Sequence, residues 1–259
     1  MKTNQFTPPP HLLTKSPFYY FLKKPLIFTL LAITLTSVSC KKDKKPSVST
    51  PIPATVDYNG FTYHTVKIGS QVWLMENLRT TKYNDGTTPI TLANTNQKWK
   101  DAGMEGKEVY GPSNYSANNT ETYGLLYNWY AVSKNLAPKG WHIATKDEWE
   151  VLRNFLGGEA IAGKAMKEKD FDHWDNFNSG AFNGTNSSGF KALPSGCWLG
   201  DEYGPSPIKE EAWFWTATAS SNAGAYSYQL YYKDNSLKQD NLIKKYGFSV
   251  RCIMDQPAK

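Results

Sequence analysis

The stretch YGLLYNWYAVSKNLAPKGWHIATKDEWEVLRNFLGG, residues 123–158, has the strongest pattern in the chain and predicts two short helices joined by a turn. The first helix is expected over about 124–134, where bulky aromatic residues are dense. Pro138 and Gly140 follow it and end a helix, because proline lacks an N–H and glycine frees the backbone. We expect the rest of the domain to be organised around this pair.

The second helix has a clear first residue. Thr145 is a favourable N-cap, and Glu148, three residues further on, completes a capping box. Apolar residues then recur at helical spacing on one face: Trp149, Leu152, Phe155 and Leu156. We therefore expect a helix that begins after Thr145 and packs this face on a core.

Three tryptophans in or beside these helices are interpreted as structural core residues: Trp129, Trp141 and Trp149. Trp141 and Trp149 flank the helix cap, and both rings are expected to point inward. An aromatic face at helical spacing is more often a packing surface than a cofactor site. We therefore predict no bound cofactor.

Residues 1–39 have the composition of a secretory signal peptide. They contain four lysines and no acidic residue, and an apolar run over 26–38 follows the last lysine. This run is too short for a membrane-spanning helix, which needs about 20 apolar residues. The pattern predicts a signal peptide over 1–39.

Cys40 comes directly after this leader and follows three small residues at 37–39, an arrangement typical of a lipidated cysteine. The other interpretation is an ordinary cleaved signal with an incidental cysteine. Residues 40–56 are rich in lysine at first and then in proline, serine and threonine, a composition that cannot bury a core. We predict that Cys40 carries a lipid and that 40–56 form a flexible tether.

The charge of the chain belongs to its targeting segments. The formal net charge is +6, but the leader and the lysine-rich start of the tether hold most of the positive charge. Residues 46–259 are close to neutral. The basic balance therefore indicates a membrane surface and argues against a nucleic-acid partner.

The composition changes at Asp57, after which all nine tryptophans lie. Residues 61–74 alternate in polarity around a Gly-Ser turn and predict an N-terminal hairpin. Residues 91–122 are polar and are expected to form a long loop with little regular structure. Four antiparallel strands are expected near the C-terminus, over 213–218, 225–232, 237–242 and 247–254.

The chain lacks the common catalytic and metal-binding motifs. His64, His142 and His173 are the histidines beyond the leader, and none is spaced for zinc. There is no Cys-x-x-Cys, no nucleophile elbow and no phosphate-binding glycine loop. Asp85, within Asn-Asp-Gly, is expected to be a turn residue and no metal ligand. A carboxylate pair among the acidic residues stays open as an alternative.

Six segments of the chain, taken in order, resemble the Fibrobacter succinogenes major paralogous domain family, which is common in bacterial lipoproteins. They are IGSQVWLMENLRTTKYNDGTTPI (68–90), YGLLYNWYAV (123–132), PKGWHIATKDEWEVL (138–152), NSSGFKALPSG (186–196), FWTATA (214–219) and YGFSVRCIMD (246–255). The resemblance implies one domain over about 57–255. The family has no well-established biochemical activity.

The ending GFSVRC is also similar to that of the formylglycine-generating enzyme family. This similarity implies an α+β, C-type-lectin-like domain with two short helices, a small twisted antiparallel sheet and long irregular loops. The similarity does not imply the enzymatic activity of that family. Those enzymes need a reactive cysteine pair, and only Cys197 lies in the corresponding region. The calcium-type sugar motif of true C-type lectins is absent as well.

Cys197 and Cys252 are the cysteines that remain after Cys40. The family often has a cysteine before its Pro-x-Gly-Trp segment, where this chain has Ala137. By this resemblance, Cys197 is expected either to replace that cysteine as the disulfide partner of Cys252 or to stay free with it.

Any ligand site is expected on the irregular segments, chiefly 171–190 and 200–213, since binding residues concentrate in loops on a rigid scaffold. Three tryptophans there are candidates for stacking on sugar rings: Trp174, Trp198 and Trp213. The competing interpretation is that these rings fasten long loops to the sheet.

These observations predict a lipid-anchored, non-catalytic binding or structural module at the outer membrane, on its periplasmic or cell-surface face. It is expected to contact the membrane through its anchor and to recognise a polysaccharide or a partner protein. The alternative is an enzyme, either a degenerate relative of the formylglycine-generating family or a glycan hydrolase that uses two carboxylates.

Overall fold

The structure is a computed structural model that describes residues 51–176, 184–200 and 204–256. The predicted signal peptide, Cys40 and most of the tether lie outside the described residues. Within these ranges, none of the helices has the length and apolar character that crossing a membrane requires. The domain is α+β, with two sheets and several short helices.

The first sheet contains five strands, all paired antiparallel, in the order β1-β2-β3-β12-β7. These strands are β1 (Thr55–Tyr58), β2 (Phe61–Ile68), β3 (Gln71–Leu74), β7 (Trp141–Ile143) and β12 (Cys252–Met254). The hairpin predicted over 61–74 is confirmed as β2 and β3, with Ile68 opposite Gln71.

The second sheet contains seven strands in the order β10-β9-β8-β11-β6-β5-β4. These are β4 (Thr91–Leu92), β5 (Val109–Pro112), β6 (Leu125–Asn128), β8 (Glu211–Ala219), β9 (Gly224–Tyr231), β10 (Lys238–Ile243) and β11 (Gly247–Val250). The first three predicted C-terminal strands are therefore present, but the fourth, over 247–254, is divided into β11 in this sheet and β12 in the first sheet. Their pairing is not wholly antiparallel, since β11 runs parallel to β8, and β4 parallel to β5.

The helices described here are α1 (Asn96–Glu105), α2 (Thr120–Tyr123), α3 (Trp129–Val132), α4 (Lys146–Phe155) and α5 (Glu159–Met166). The prediction for α4 is confirmed, because Thr145 and Glu148 form the complete capping box. Trp149 and Leu152 are buried on its inner face, but Phe155 is 63% exposed, so its assignment to that face was wrong.

The helix predicted over 124–134 is wrong for most of its length. Residues 125–128 form strand β6, all four of them buried, and only one helical turn, α3, follows. A short buried strand and a buried helix segment carry the same apolar run, so the spacing did not separate them. The side chain of Asn128 makes the change of structure possible, since it accepts a hydrogen bond from the N–H of Ala131 and caps α3.

The loop predicted over 91–122 is also more regular than expected. Helix α1 begins after Thr95, whose side chain accepts a hydrogen bond from the N–H of Lys98. Only Trp99 and Ala102 of this helix are buried. Tertiary contact of these two residues therefore stabilises a helix whose sequence has little apolar periodicity.

Trp149 lies at the centre of one of the aromatic cores. Its ring is stacked on Tyr228, with ring centroids 5.1 Å apart, and meets the edge of Trp73 at 5.2 Å. Trp141 is buried in a neighbouring cluster. Trp129 is half-buried beside that cluster and donates a hydrogen bond from Nε1 to the carbonyl of Thr216 at 2.9 Å.

Candidate functional site

Arg79 lines two clefts at the surface of the domain. The polar cleft, about 440 Å³ in volume, also contains His64, Glu76, Glu121 and His173 in its lining. The aromatic cleft, about 280 Å³, contains three aromatic rings, from Phe61, Tyr110 and Tyr115. Arg79 is the residue that both linings share, so one guanidinium is available to a ligand that enters either cleft.

The chain holds Arg79 in place through backbone contacts. Its N–H donates a hydrogen bond to the Tyr63 hydroxyl at 2.9 Å, which fixes the segment after β3 against β2. The guanidinium donates from Nη2 to the Thr62 carbonyl at 3.0 Å and from Nη1 to the Glu121 carbonyl at 3.3 Å. It also lies over the Phe61 ring, 4.8 Å from its centroid.

The charge of Arg79 has no close, buried counter-ion among the described residues. The residue is only 7% exposed, and Nε has no hydrogen-bond partner among the described residues. Its ion pair with Glu121 is long, at 3.4 Å, and the Glu121 side chain is 85% exposed. Burying a cation costs free energy unless an anion or several acceptors compensate it.

Both histidines of the polar cleft are held by carboxylates. Nδ1 of His64 lies 2.8 Å from Oε1 of Glu76, and Nδ1 of His173 lies 2.6 Å from Oε2 of Glu168. The edge of the Tyr123 ring packs against His173 at 5.6 Å between centroids. These contacts fix the orientation of both imidazoles.

Arg251 forms the floor of the polar cleft. Its Nε donates to Oδ1 of Asn77 at 2.7 Å, and the rest of the guanidinium donates to backbone carbonyls of Leu74, Met75, Phe190 and Lys191. Burial lowers the pKa of Arg251 to about 9. Because these carbonyls belong to the end of β3, to the residue after it and to the loop before β8, Arg251 positions the walls of the cleft.

The aromatic cleft combines flat apolar faces with small polar groups. Thr81, Asn94 and Thr120 lie in its lining beside the three aromatic rings. Tyr115 has a left-handed backbone with φ of 53°, and its hydroxyl bonds to Asn96 of α1. A non-glycine residue adopts this conformation at some cost, so the surrounding contacts hold the Tyr115 ring in its place.

A separate polar cluster surrounds His142 on β7, the last strand in the order of the first sheet. His142 on β7 contacts Glu148 through Nε2 at 2.8 Å and Asp255 through Nδ1 at 2.6 Å. The hydrogen bond with Glu148 is the main reason that the pKa of His142 is raised to about 9. Both ring nitrogens are occupied, which leaves His142 without a nitrogen that could accept a substrate proton.

The predicted ligand tryptophans are all buried. Trp174 donates from Nε1 to the Ala192 carbonyl, Trp198 to Oδ1 of Asn96, and Trp213 to Oε2 of Glu211. Trp198 is stacked on Trp99 at 5.2 Å, and Trp213 on Phe248 at 5.1 Å. Burial and these contacts favour the interpretation that the three rings fasten loops to the sheet. Stacking of the same rings on a sugar stays a prediction.

Cys197 and Cys252 are both buried free thiols in the structure, which corresponds to the second of the two alternatives given for them. Sγ of Cys197 lies 3.3 Å from Oγ of Ser206 and 3.3 Å from Oε1 of Glu211. Burial raises the pKa of both thiols, which keeps them protonated and unreactive. Within the described part of the chain, no group of three His, Cys, Asp or Glu side chains is arranged to hold a metal ion.

The residues of the two clefts come from six separate parts of the chain, which is why the sequence did not indicate them. These parts are 61–81, 92–94, 110–125, 173, 191–193 and 251. A signal was present in Arg79 itself, which lies in the segment 68–90 that carries the family resemblance. Nothing in the local pattern, however, distinguishes Arg79 from an exposed arginine.

Comparison with known proteins identifies the family. No curated protein and no solved structure matches the chain. The family model described as the Fibrobacter succinogenes major domain matches residues 66–254, which is well over half of the chain. This range contains Arg79 and most of the residues that line the two clefts, whereas Phe61, Thr62 and His64 precede it. The chain therefore belongs to the Fibrobacter succinogenes major domain family.

Proposed function

We propose that the protein is a lipid-anchored module of the cell envelope that binds its ligand without catalysis, and that the ligand occupies the two clefts beside Arg79. The observation that carries this proposal is the buried guanidinium that both clefts share and that lacks a close counter-ion. A charge kept in this state costs stability, and such a cost is typical of a functional site.

The anchor and its location rest on the leader. A basic segment, an apolar run and a cysteine after small residues support lipidation of Cys40, and the tether supports a domain held close to the membrane. We place the protein at the outer membrane, on its periplasmic or cell-surface face. The short helices and loop-rich sheets are consistent with a C-type-lectin-like domain, which we retain as part of the proposal.

The aromatic cleft favours a polysaccharide over a partner protein as the ligand. Aromatic faces pack on the C–H faces of sugar rings, and hydroxyl and amide side chains suit sugar hydroxyls. Each cleft is small, within or near the lower limit for small-molecule sites of about 300–1,000 Å³. A protein interface normally needs a larger contact surface, about 800 Å² per partner.

The test is a binding survey with the full chain, purified in mild detergent, against immobilised neutral and acidic polysaccharides. We expect saturable binding to at least one polysaccharide and a loss of binding in Arg79→Gln. Lys139→Gln, on an exposed turn outside both linings, is the matched charge control. Absence of binding to every polysaccharide would contradict the proposal.

A glycan hydrolase is the second candidate, because Glu76 and Glu121 line the same polar cleft. Two carboxylates on opposite sides of a glycosidic bond are the requirement of that reaction. Release of reducing ends from a bound polysaccharide, abolished by Glu76→Gln and by Glu121→Gln, would favour this candidate. The degenerate formylglycine-generating alternative has less support, since Cys197 is buried and free.

A further inference from the structure

We infer that the ligand is an acidic saccharide, with a uronic acid carboxylate paired to Arg79 and the face of the same or the next sugar ring in the aromatic cleft. This inference rests on the proposed binding function and adds the chemical class of the ligand.

The first step concerns the unmet hydrogen-bonding capacity of Arg79. Its guanidinium is more than nine-tenths buried and lines both clefts, and Nε has no partner in the part of the chain that the structure describes. The remaining donors reach two backbone carbonyls and one distant carboxylate. A guanidinium presents a planar fork that matches a carboxylate, so a ligand carboxylate in place of Glu121 would supply a closer acceptor at Nη1.

The carboxylate of Glu121 lies where the carboxylate of a ligand would bind, but its contact with Arg79 is weak. Oε1 of Glu121 is 3.4 Å from Nη1 of Arg79, longer than the usual charge-assisted hydrogen bond of about 2.7–2.9 Å. The Glu121 side chain is almost wholly exposed. It can therefore rotate into solvent and be replaced without disturbing the core.

The third step is the balance of charge in the polar cleft. Its lining contains three side chains that are cationic at neutral pH, Arg79, Lys191 and Arg251, and two carboxylates, Glu76 and Glu121. His64 and His173 add positive charge when they are protonated. Displacement of Glu121 leaves the lining more positive still, so the cleft attracts an anion over a neutral sugar.

The fourth step is the arrangement of the aromatic cleft around the same arginine. Phe61 lies under the guanidinium at 4.8 Å, and Tyr110 and Tyr115 belong to the same lining. A sugar ring bound against these faces would place its carboxylate toward Arg79. Thr81 and Asn94 offer hydrogen-bonding groups for the hydroxyls of that ring.

The test uses isothermal titration calorimetry on the full chain in mild detergent. The probes are oligomers of galacturonate, glucuronate, mannuronate and guluronate, each with its carboxyl-reduced neutral counterpart, and one sulfated neutral oligosaccharide. We expect at least one uronate oligomer to bind about tenfold or more tightly than its reduced form, the ratio typical of one charge-assisted hydrogen bond.

Two variants then separate the role of Arg79 from a folding effect. Arg79→Gln should lower the affinity for the uronate about tenfold or more and lower that for the reduced oligomer by a much smaller factor. Glu121→Gln removes the competing carboxylate at an exposed position and should raise the uronate affinity severalfold. Since Glu121 is exposed, this variant keeps the test valid even where Arg79→Gln unfolds the protein. Lys139→Gln should behave as the unsubstituted chain.

The outcomes distinguish this inference from the function on which it rests. Equal binding of uronate and reduced oligomers, or binding of the sulfated oligomer alone, overturns the uronate assignment and leaves polysaccharide binding in place. An unchanged uronate affinity in Glu121→Gln also overturns it. Binding of no oligomer and no polysaccharide overturns both.

Discussion

Nδ1 of His142 and Oδ1 of Asp255 lie 2.6 Å apart, so the imidazole on β7 is joined to the first residue after the last strand. The other ring nitrogen contacts Glu148 at 2.8 Å, in the first turn of α4. The imidazole of His142 thus connects the first turn of α4 with the residue that follows β12. Its protonation state affects the strength of both contacts.

We predict that the stability of the domain falls as the pH rises from about 6.5 to 9 and that His142 causes part of the fall. The pKa of His142 is raised from 6.5 to about 9 in the folded state, chiefly by its hydrogen bond with Glu148. The stabilisation is therefore complete below the unfolded pKa and is lost as the pH passes through the folded pKa. Urea denaturation at a series of pH values measures this slope.

The control for this prediction is His142→Gln, which keeps hydrogen-bonding groups but cannot take up the proton. Its unfolding free energy should vary less over the same pH range. Identical pH slopes in the two proteins would show that the contacts of His142 contribute no pH-dependent stability.

Trp149→Ala should destabilise the domain strongly. The ring is fully buried against Tyr228 and Trp73, and loss of a core tryptophan costs about 3–5 kcal/mol. For a domain of this size, this loss corresponds to a fall in Tm of roughly 6–20 °C. Phe155→Ala, on the same helix but largely exposed, is the control and should change Tm by no more than about 1–2 °C. Similar Tm values for both variants would contradict the burial of Trp149.

We predict that Trp174, Trp198 and Trp213 contribute to the stability of the domain and contribute little to ligand affinity. Each indole donates a hydrogen bond to the protein, so truncation to alanine should lower Tm first. Affinity for a polysaccharide, measured on the fraction that remains folded, should stay within about twofold, a free-energy difference well below that of one hydrogen bond. A variant that keeps its Tm and loses its affinity would restore that tryptophan as a ligand contact.

Cys197 and Cys252 should resist alkylation in the folded protein and react together on unfolding. Both thiols are buried, and burial raises the pKa of each. Mass spectrometry after iodoacetamide treatment, with and without denaturant and without any reductant, checks this expectation. Failure of both residues to react in denaturant until a reductant is added would show that they form a disulfide.

Cys40→Ser should release the protein from the membrane fraction and abolish metabolic labelling with a fatty-acid analogue. The reason is that Cys40 follows the leader and small residues and precedes a flexible tether. Ser47→Ala, within the same tether, is the control and should remain in the membrane fraction. Undiminished membrane association of Cys40→Ser would contradict the lipid anchor.

Local signals in the sequence predicted local structure well. The capping box of α4 and the hairpin of β2 and β3 were identified because a few neighbouring residues determine each of them. Strand β6 and helix α1 were not identified. The buried state of all of β6, and the burial of Trp99 against Trp198, depend on residues distant in the sequence.

The candidate site was the least predictable feature for the same reason. The site around Arg79 depends on contacts with residues distant in the sequence. The guanidinium contacts Phe61 on β2 and Glu121 in α2, and Arg251 lines the same polar cleft. The tryptophans were predicted to be ligand contacts instead, because exposed aromatic rings often bind sugars. Their burial is a property of tertiary packing, on which composition carries no information.

The order of strands in the two sheets has a consequence for the timing of folding. Strand β11 lies between β8 and β6 in one sheet, and β12 lies between β3 and β7 in the other. Both are among the last segments of the described chain, yet neither is at an edge. Neither sheet can close its hydrogen-bond ladder until residues 247–254 have left the ribosome. Until then, β8 and β6 in one sheet and β3 and β7 in the other each lack the strand that joins them.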